Sequence, residues 1–369
     1  MFGIFLSFVA IATALLVCLN AEPLGRRLKV MDHPDNGRKN HTKATPLVGG
    51  MGILLPLLIW LAGASLSGVV ADKQVLSVLM IGAAGVGLVG FADDQAPITP
   101  LSRILLVLVY LGVVFLMSPG LITQSLNWGS FDPTPIPAWA YCVLLAVTTI
   151  GIVNAVNMAD GQNGVVPSMF VVWSLCLMLV GDRVVAEVAQ ILAAASLVVL
   201  VFNVQGRLFL GDCGSYGVTF VIGLLALMTY AQGRVTVETI VVWFFIPVMD
   251  CLRLIITRRL QGRSPVAPDN DHFHHRLQSK LGTTYGLVAY IASVGATSFI
   301  AALAPQFALV CIIILTAIYF SFAFLTDSAT VRALDTSRLR DEEISDLDEN
   351  FANVVSIVGS EHSKRAGGL

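Results

Sequence analysis

Four short clusters in this 369-residue chain combine oxygen donors and imidazoles at spacings that could do chemistry. Asp93 and Asp94 stand side by side in GFADD. Asn154, Asn157, Asp160 and Asn163 recur at steps of three in NAVNMADGQNG. Asp212 sits in FLGDCGS, and His272, His274 and His275 share DHFHH. The aspartates are hard oxygen donors of the kind Mg²⁺ prefers. That ion takes one or two carboxylates, keeps some waters and accepts phosphate oxygens. Cys/His spacing for zinc is absent. Lys43, Arg103 and Arg263 add cations near these motifs in the sequence. Carboxylates, a divalent ion and a ring of cations suit a diphosphate, whose transfer needs charge neutralised and oxygens held in line.

These clusters interrupt a chain that is 56% hydrophobic and only 12% charged, against about 25% charge in soluble domains. Its mean hydropathy is +0.80. The apolar runs approach the roughly 20 residues of a membrane-crossing helix, and barrel-type alternation is absent. The expected fold is an all-α polytopic membrane bundle of eleven helices. They cover 2–21, 47–67, 74–92, 102–118, 137–157, 165–181, 185–203, 216–232, 236–256, 285–303 and 306–326, with only Gly181-Asp182-Arg183 dividing 165–203. Residues 1–326 form the expected catalytic domain and 327–369 a polar cytoplasmic tail. One set of loops holds Lys73, Arg183 and Arg234, and the other set, with its helix ends and the tail, holds the remaining 19 of 22 basic residues. The positive-inside rule then puts the N-terminus outside and the C-terminus in the cytoplasm. The first helix reads as retained rather than as a cleaved signal. Cysteines 18, 142, 176, 213, 251 and 311 show no disulfide or metal-ligand spacing and read as small buried residues. A net charge of −2 offers nothing to nucleic acid.

On this topology all the clusters, and TPLVGG at 45–50, fall at the cytoplasmic face. The outer loops carry nothing comparable. Any one acidic helix end is ordinarily a solvated terminus. Convergence of separate elements on one face, with the other face empty, favours function. Steps of three spread Asn154, Asn157 and Asp160 over about 120° of an α-helix, and a 3₁₀ end would nearly eclipse them. Gly49-Gly50, Gly211 and Gly214 allow close backbone approach. An ion-coupled transporter is the competing class, but it places ionisable groups at mid-membrane in repeated halves. Here the acids sit at one end and no repeat is visible. A non-enzymatic scaffold would leave the acidic motifs superfluous.

TPLVGG, GFADD, NAVNMADGQNG, FLGDCGS and GRSPVAPDNDHFHH, in this order and topology, resemble the polyprenyl-phosphate N-acetylhexosamine-1-phosphate transferases (glycosyltransferase family 4) over residues ~1–326. The SP…D…H-x-HH loop is most similar to the bacterial undecaprenyl-phosphate N-acetylglucosaminyl-1-phosphate branch. The resemblance implies an inner-membrane enzyme with its active site on the cytoplasmic face. Undecaprenyl phosphate and UDP-GlcNAc would give undecaprenyl-diphospho-GlcNAc and UMP, with Mg²⁺ or Mn²⁺, in the first membrane step of a cell-surface polysaccharide. A FucNAc or QuiNAc donor stays open, as does a homodimer. It further implies Asp212 as main metal ligand, with Asn157 sharing metal or diphosphate. Asp93 would orient or deprotonate the lipid phosphate, Asp94 would support the site or hold the nucleotide, and Asp160 would organise the metal shell. Arg103 would bind diphosphate, His272, His274 and His275 phosphate or UMP, and Arg263 sugar or diphosphate. Lys43, Thr45 and Asn154 are further substrate-side candidates. A phosphate monoester has a second pKa near 6, so the nucleophile hardly needs a base and direct attack is favoured over an aspartyl-phosphate route. The chain departs from the bacterial pattern at Asn163 (usually Asp), Val266 and Cys213. Asn163 is read as structural, since eukaryotic relatives also carry Asn there.

Overall fold

In the computed structural model, residues 2–34, 43–68, 70, 72–129, 131–262, 264 and 271–325 are described. Arg263, Val266 and the tail 327–369 lie outside them. The chain divides into two compact units, Met1–Leu315 and Thr316–Leu369. Everything below concerns the first. Of the second, the structure describes residues 316–325, the last turns of a helix.

A helix occupies each of the eleven expected positions. They are α1 (Phe2–Leu19), α3 (Gly49–Ser67), α4 (Lys73–Gln95), α5 (Pro100–Met117), α6 (Ala138–Ala159), α7 (Val165–Val180), α8 (Arg183–Val204), α9 (Gly211–Ala231), α10 (Val237–Leu260), α12 (Thr283–Leu303) and α13 (Ala308–Leu325). Among the described residues nine helices are individually long and apolar enough to cross a membrane. The other two differ for physical reasons. α1 meets that measure only with α2 (Ala21–Leu28), bent 75° from it, and α7 has 16 residues. Helices therefore stand at the eleven expected positions, and among the described residues nine have the length and apolar composition of a crossing. Helix α8 begins where the sequence punctuation suggests, because Asp182 caps it by accepting from Val185 N at 2.9 Å.

Three small elements lie where loops were expected. They are α2, a two-residue pairing of β1 (Met31–Asp32) with β2 (Thr45–Pro46), and α11 (Phe273–Leu281). A second short pair, β3 (Ser125–Leu126) with β4 (Thr134–Pro135), lies at the opposite end of the bundle. There Tyr230 Oη donates to Ser125 O at 3.0 Å and accepts from Asn127 N at 2.7 Å. The buried Glu238 accepts from Gly129 N at 3.0 Å.

α9 is the central helix, with 94% of its apolar window buried, while α5 and α6 bury only 17% and 22%. The core closes around α9 because glycines remove side chains where backbones meet. A Cβ on Gly50 of α3 would lie 2.1 Å from Gly214 N, and one on Gly90 of α4 2.1 Å from Asp212 O. This small-residue packing is how helices associate without a hydrophobic driving force between them. The loop before α9 is threaded by backbone bonds. Phe209 N donates to Pro46 O at 2.9 Å, Gly49 N to Phe209 O at 2.9 Å and Gly50 N to Leu210 O at 2.7 Å. TPLVGG therefore forms a backbone cradle for FLGD.

Candidate active site

Helix α9 starts at Gly211, five residues before the expected 216. Its own N-cap, Leu210, supplies no side-chain bond. Asp94 supplies it from α4. Its Oδ1 accepts from Asp212 N at 2.8 Å and its Oδ2 from Cys213 N at 2.9 Å. A carboxylate at a helix N-terminus satisfies orphan N–H groups and complements the positive end of the dipole. Gly211 turns at φ +76°, and a Cβ there would meet Asp94 Oδ2 at 2.8 Å. Both Asp94 oxygens are thus engaged by backbone, which fits support of the site and leaves little for a nucleotide.

Asp93 is engaged just as fully. Its Oδ1 accepts from Ile98 N at 2.7 Å. Its Oδ2 receives Tyr216 Oη at 3.3 Å and lies 3.1 Å from Arg103 Nη1. Arg103 Nη1 also donates to Tyr216 Oη at 2.6 Å. A carboxylate with these partners orients a guanidinium well and is poorly placed to take a proton. Tyr216 was not singled out from the sequence. Its hydroxyl gains meaning only when α4 and α5 fold beside α9.

Asp212 faces Asp94, Asp93 and Asn157. Asn157 Nδ2 donates to Asp212 Oδ1 at 2.6 Å and to Ser215 Oγ at 3.0 Å. At the end of α6, Asp160 N bonds Asn157 O, three residues back, at 3.2 Å. Burial, then the charges of Asp212 and Asp94, push the Asp160 carboxyl well above the usual carboxylate range. Asn154 turns back, its Nδ2 donating to Ile150 O at 2.8 Å. It also lines an open-sided cavity of about 260 Å³ with Arg103 and Tyr216.

The donor set fits a Mg²⁺-type ion. Asp93 and Asp94 are committed elsewhere, so Asp212, Asn157 and Asp160 remain as oxygen donors. Among the described residues no group of three or more His, Cys, Asp or Glu is arranged to hold a metal ion by itself. An ion that keeps waters and takes phosphate oxygens needs no closed protein cage. Crowded carboxylates without an ion have a cost that sets a pH dependence. An unfolded Asp ionises near pH 3.9, whereas native Asp160 holds its proton well above that. Between those values the native state binds more protons, so stability falls as pH rises. EDTA-treated protein should therefore show a Tm that decreases from pH 5 to pH 8, and added Mg²⁺ should restore it. A flat profile would exclude Asp160 as a strained carboxyl.

The histidines reach the same end of the bundle on α11. A Cβ on Gly161, in the α6–α7 turn, would lie 2.9 Å from His274 Nε2 and 3.2 Å from His275 Nε2. His274 is 2% exposed, and burial, then its neighbours His275 and His272, hold its pKa well below the usual imidazole value. It is a neutral ring, and its Nε2 has no hydrogen-bond partner among the described residues. It can offer one hydrogen bond, not a charge. The α6–α7 turn is held by a second residue not singled out from the sequence, Asn203. Its Oδ1 accepts from Gly164 N at 2.6 Å and its Nδ2 donates to Leu208 O at 3.0 Å. Asn163 lies near Gly206. Asn163→Ala should lower activity less than about tenfold, ~1.4 kcal/mol in barrier, in a steady-state UMP assay. Thr45 is buried, and its hydroxyl donates to Lys43 O at 3.2 Å. Lys43 is exposed. This segment meets the site through the backbone bonds that cradle FLGD.

Below the polar end an open apolar pocket lies between α5, α6, α9 and α10, lined by Leu111, Leu145, Ile152, Val153, Phe220 and Phe244. Val153 lines both this pocket and the one beside Arg103 and Tyr216.

Comparison with known proteins agrees with the motifs. The glycosyl transferase family 4 model matches residues 76–230, which hold Asp93, Asp94, Arg103, Asn157, Asp160 and Asp212. A probable undecaprenyl-phosphate N-acetylglucosaminyl 1-phosphate transferase of Bacillus subtilis is 28% identical over 285 residues, 73% of this chain and 77% of the relative. A decaprenyl-phosphate N-acetylglucosaminephosphotransferase of Mycobacterium leprae is 27% identical over 69% of this chain and 71% of the relative. An undecaprenyl-phosphate alpha-N-acetylglucosaminyl 1-phosphate transferase of Escherichia coli K12 is 28% identical over 69% and 71%. In its motif order and its helical membrane bundle, the chain is similar to glycosyl transferase family 4, whose model it matches over residues 76–230.

Proposed function

We propose that the protein transfers N-acetylglucosamine 1-phosphate from UDP-GlcNAc to undecaprenyl phosphate and releases UMP, starting a cell-surface polysaccharide. The observation that carries this reading is the junction of two unlike environments. Val153 lines both an apolar pocket and the neighbouring pocket of Arg103, which Asp93 and Tyr216 hold in place beside the α9 end that carries Asp212. A ligand with a long apolar tail and an anionic head matches that sequence of surfaces. The names of the three relatives support the same acceptor and donor class. All eleven helices cross the membrane in this reading, and the polar end faces the cytoplasm, following the basic residues.

Arg103 receives the lipid phosphate and lowers the repulsion between two anionic substrates. Asp93 and Tyr216 keep the guanidinium oriented, which reduces the ordering cost of binding. The phosphate oxygen attacks the sugar-linked phosphorus, and UMP leaves. The nucleophile is already ionised near pH 7, so Asp93 need not take a proton. Asp212 and Asn157, with Asp160 behind them, would hold a Mg²⁺ ion, which when bound neutralises charge on the diphosphate. Asp94 keeps Asp212 at the head of α9. The histidines on α11 hydrogen-bond the donor's phosphates, His274 as a neutral group.

The test is direct. Membranes carrying the protein should release UMP from UDP-GlcNAc only when undecaprenyl phosphate and Mg²⁺ or Mn²⁺ are present. Mass spectrometry should find the lipid product, with UDP-FucNAc and UDP-QuiNAc as the competing donors in the panel. Turnover that persists in EDTA would sink the metal role. Solute uptake into vesicles with no UMP formed would replace the enzyme reading by a transporter.

A further inference from the structure

A lone carboxylate interrupts the apolar run IPVMDCLRL of α10. Asp250 is 5% exposed, and burying a charge there is costly unless it is paired. It has partners from two elements. From its own helix, Arg253 Nη2 donates to Asp250 Oδ1 at 3.0 Å. From the segment that returns after α10, His272 Nδ1 donates to Asp250 Oδ2 at 3.0 Å, and Phe273 N donates to Oδ1 at 3.1 Å. His272 is the N-cap residue of α11 but gives no side-chain cap. Asp250 therefore starts α11 from outside, as Asp94 starts α9. Arg253 extends the link, with Nη1 donating to Asp271 Oδ2 at 3.0 Å, and Arg276 Nε donates to Asp271 Oδ1 at 2.8 Å.

The three histidine rings cluster on this support. The rings of His272 and His274 are stacked 5.3 Å apart and 13° from parallel, and His275 lies 4.3 Å from His274, tilted by 52°. Their far end rests on Gly161, next to Asp160. With Nδ1 committed to a carboxylate, Nε2 of His272 is the nitrogen left to meet a ligand. Rotation of His272 would be passed to both neighbours.

We propose that Asp250 is a positioning residue for the transfer reaction and acts through His272. The inference rests on the proposed function. It assigns Asp250 no contact with substrate. It fixes the ring orientation of His272 and the start of α11, and so the placement of the histidine cluster against the turn at 160–164.

The experiment measures UMP release by the full chain, with kcat and KM for UDP-GlcNAc. Asp250→Asn should lower kcat at least tenfold and leave KM within twofold. In a His272→Asn background the same change should cost less than twofold, because residues acting as one unit are not additive. Asp250→Glu, which keeps the charge, should fall between. If thermal unfolding shows that Asp250→Asn does not fold, Asp250→Glu carries the test, with kcat at least threefold down and the same coupling to His272→Asn. Native kcat in the tested variant, or an equal loss in both backgrounds, overturns the proposal. A native protein that forms no UMP overturns the functional reading and this inference with it. Normal native turnover with an unaffected Asp250 variant overturns the inference alone.

Discussion

Asp212→Asn will abolish metal-dependent UMP release, with a loss of about a thousandfold or more. The change is nearly isosteric and leaves the helix, its cap and its glycine contacts in place. What it removes is the charge. In the native protein the Asp212 carboxylate accepts from Asn157 at 2.6 Å and faces Asp94 and Asp93. Those two have their oxygens engaged by backbone N–H groups, Arg103 and Tyr216, so they cannot substitute as ligands without dismantling the site. A thousandfold corresponds to ~4 kcal/mol of barrier, the upper range for removing one preorganised electrostatic partner. The measurement is single-turnover UMP formation across a Mg²⁺ titration. A rate within tenfold of native at saturating Mg²⁺ would rule out the ligand role.

Gly90→Ala should be nearly as damaging, although Gly90 carries no chemistry. The added methyl would sit 2.1 Å from Asp212 O, 2.4 Å from Asp212 C and 2.6 Å from Cys213 N. These are backbone atoms at the start of a helix, so no side chain can rotate away. Overpacking typically costs about 1–3 kcal/mol and occasionally more. Here the strain falls on the residues that Asp94 caps. The expected result is at least a hundredfold drop in kcat, with a lower Tm in detergent. Gly112→Ala is the control, since nothing lies within 4 Å of a Cβ there, and it should keep native activity. Native activity in Gly90→Ala would mean that α4 and α9 separate more easily than their packing implies.

Much of this was legible in the sequence because membranes simplify it. Long apolar runs have one outcome, and each became a helix. The motifs at one end were readable because charges near a lipid phase need a reason. The boundaries that slipped have a common cause. Helix α9 begins at Gly211 instead of 216 because its cap comes from Asp94, 117 residues before it in the chain. The identity of FLGDCG alone says loop. α11 stands where a loop was expected because nine residues are too few for a lasting periodicity, and its start depends on Asp250. In the sequence Asp250 is one acid in an apolar stretch, Tyr216 one aromatic beside an apolar run, and Asn203 one amide near a helix end. Each acquires a role only through a partner 39 or more residues away or through a returning segment. What the spacing of three conveys is local, as at the turn where Asp160 N bonds Asn157 O.

The first turn of α9 is completed by a side chain made long before it during synthesis. A ribosome that has delivered α4 has placed Asp94 in the membrane with its two acceptors unanswered, and they stay so until α9 emerges. No single stretch of the chain contains a finished catalytic end. A protein nicked in the loop between α5 and α6 would leave Asp93, Asp94 and Arg103 on one fragment, and Asn157, Asp160 and Asp212 on the other. Co-expression of the two fragments should regain turnover, while either alone should stay silent. The reaction would thus be withheld until α9, the eighth of the eleven long helices, has docked.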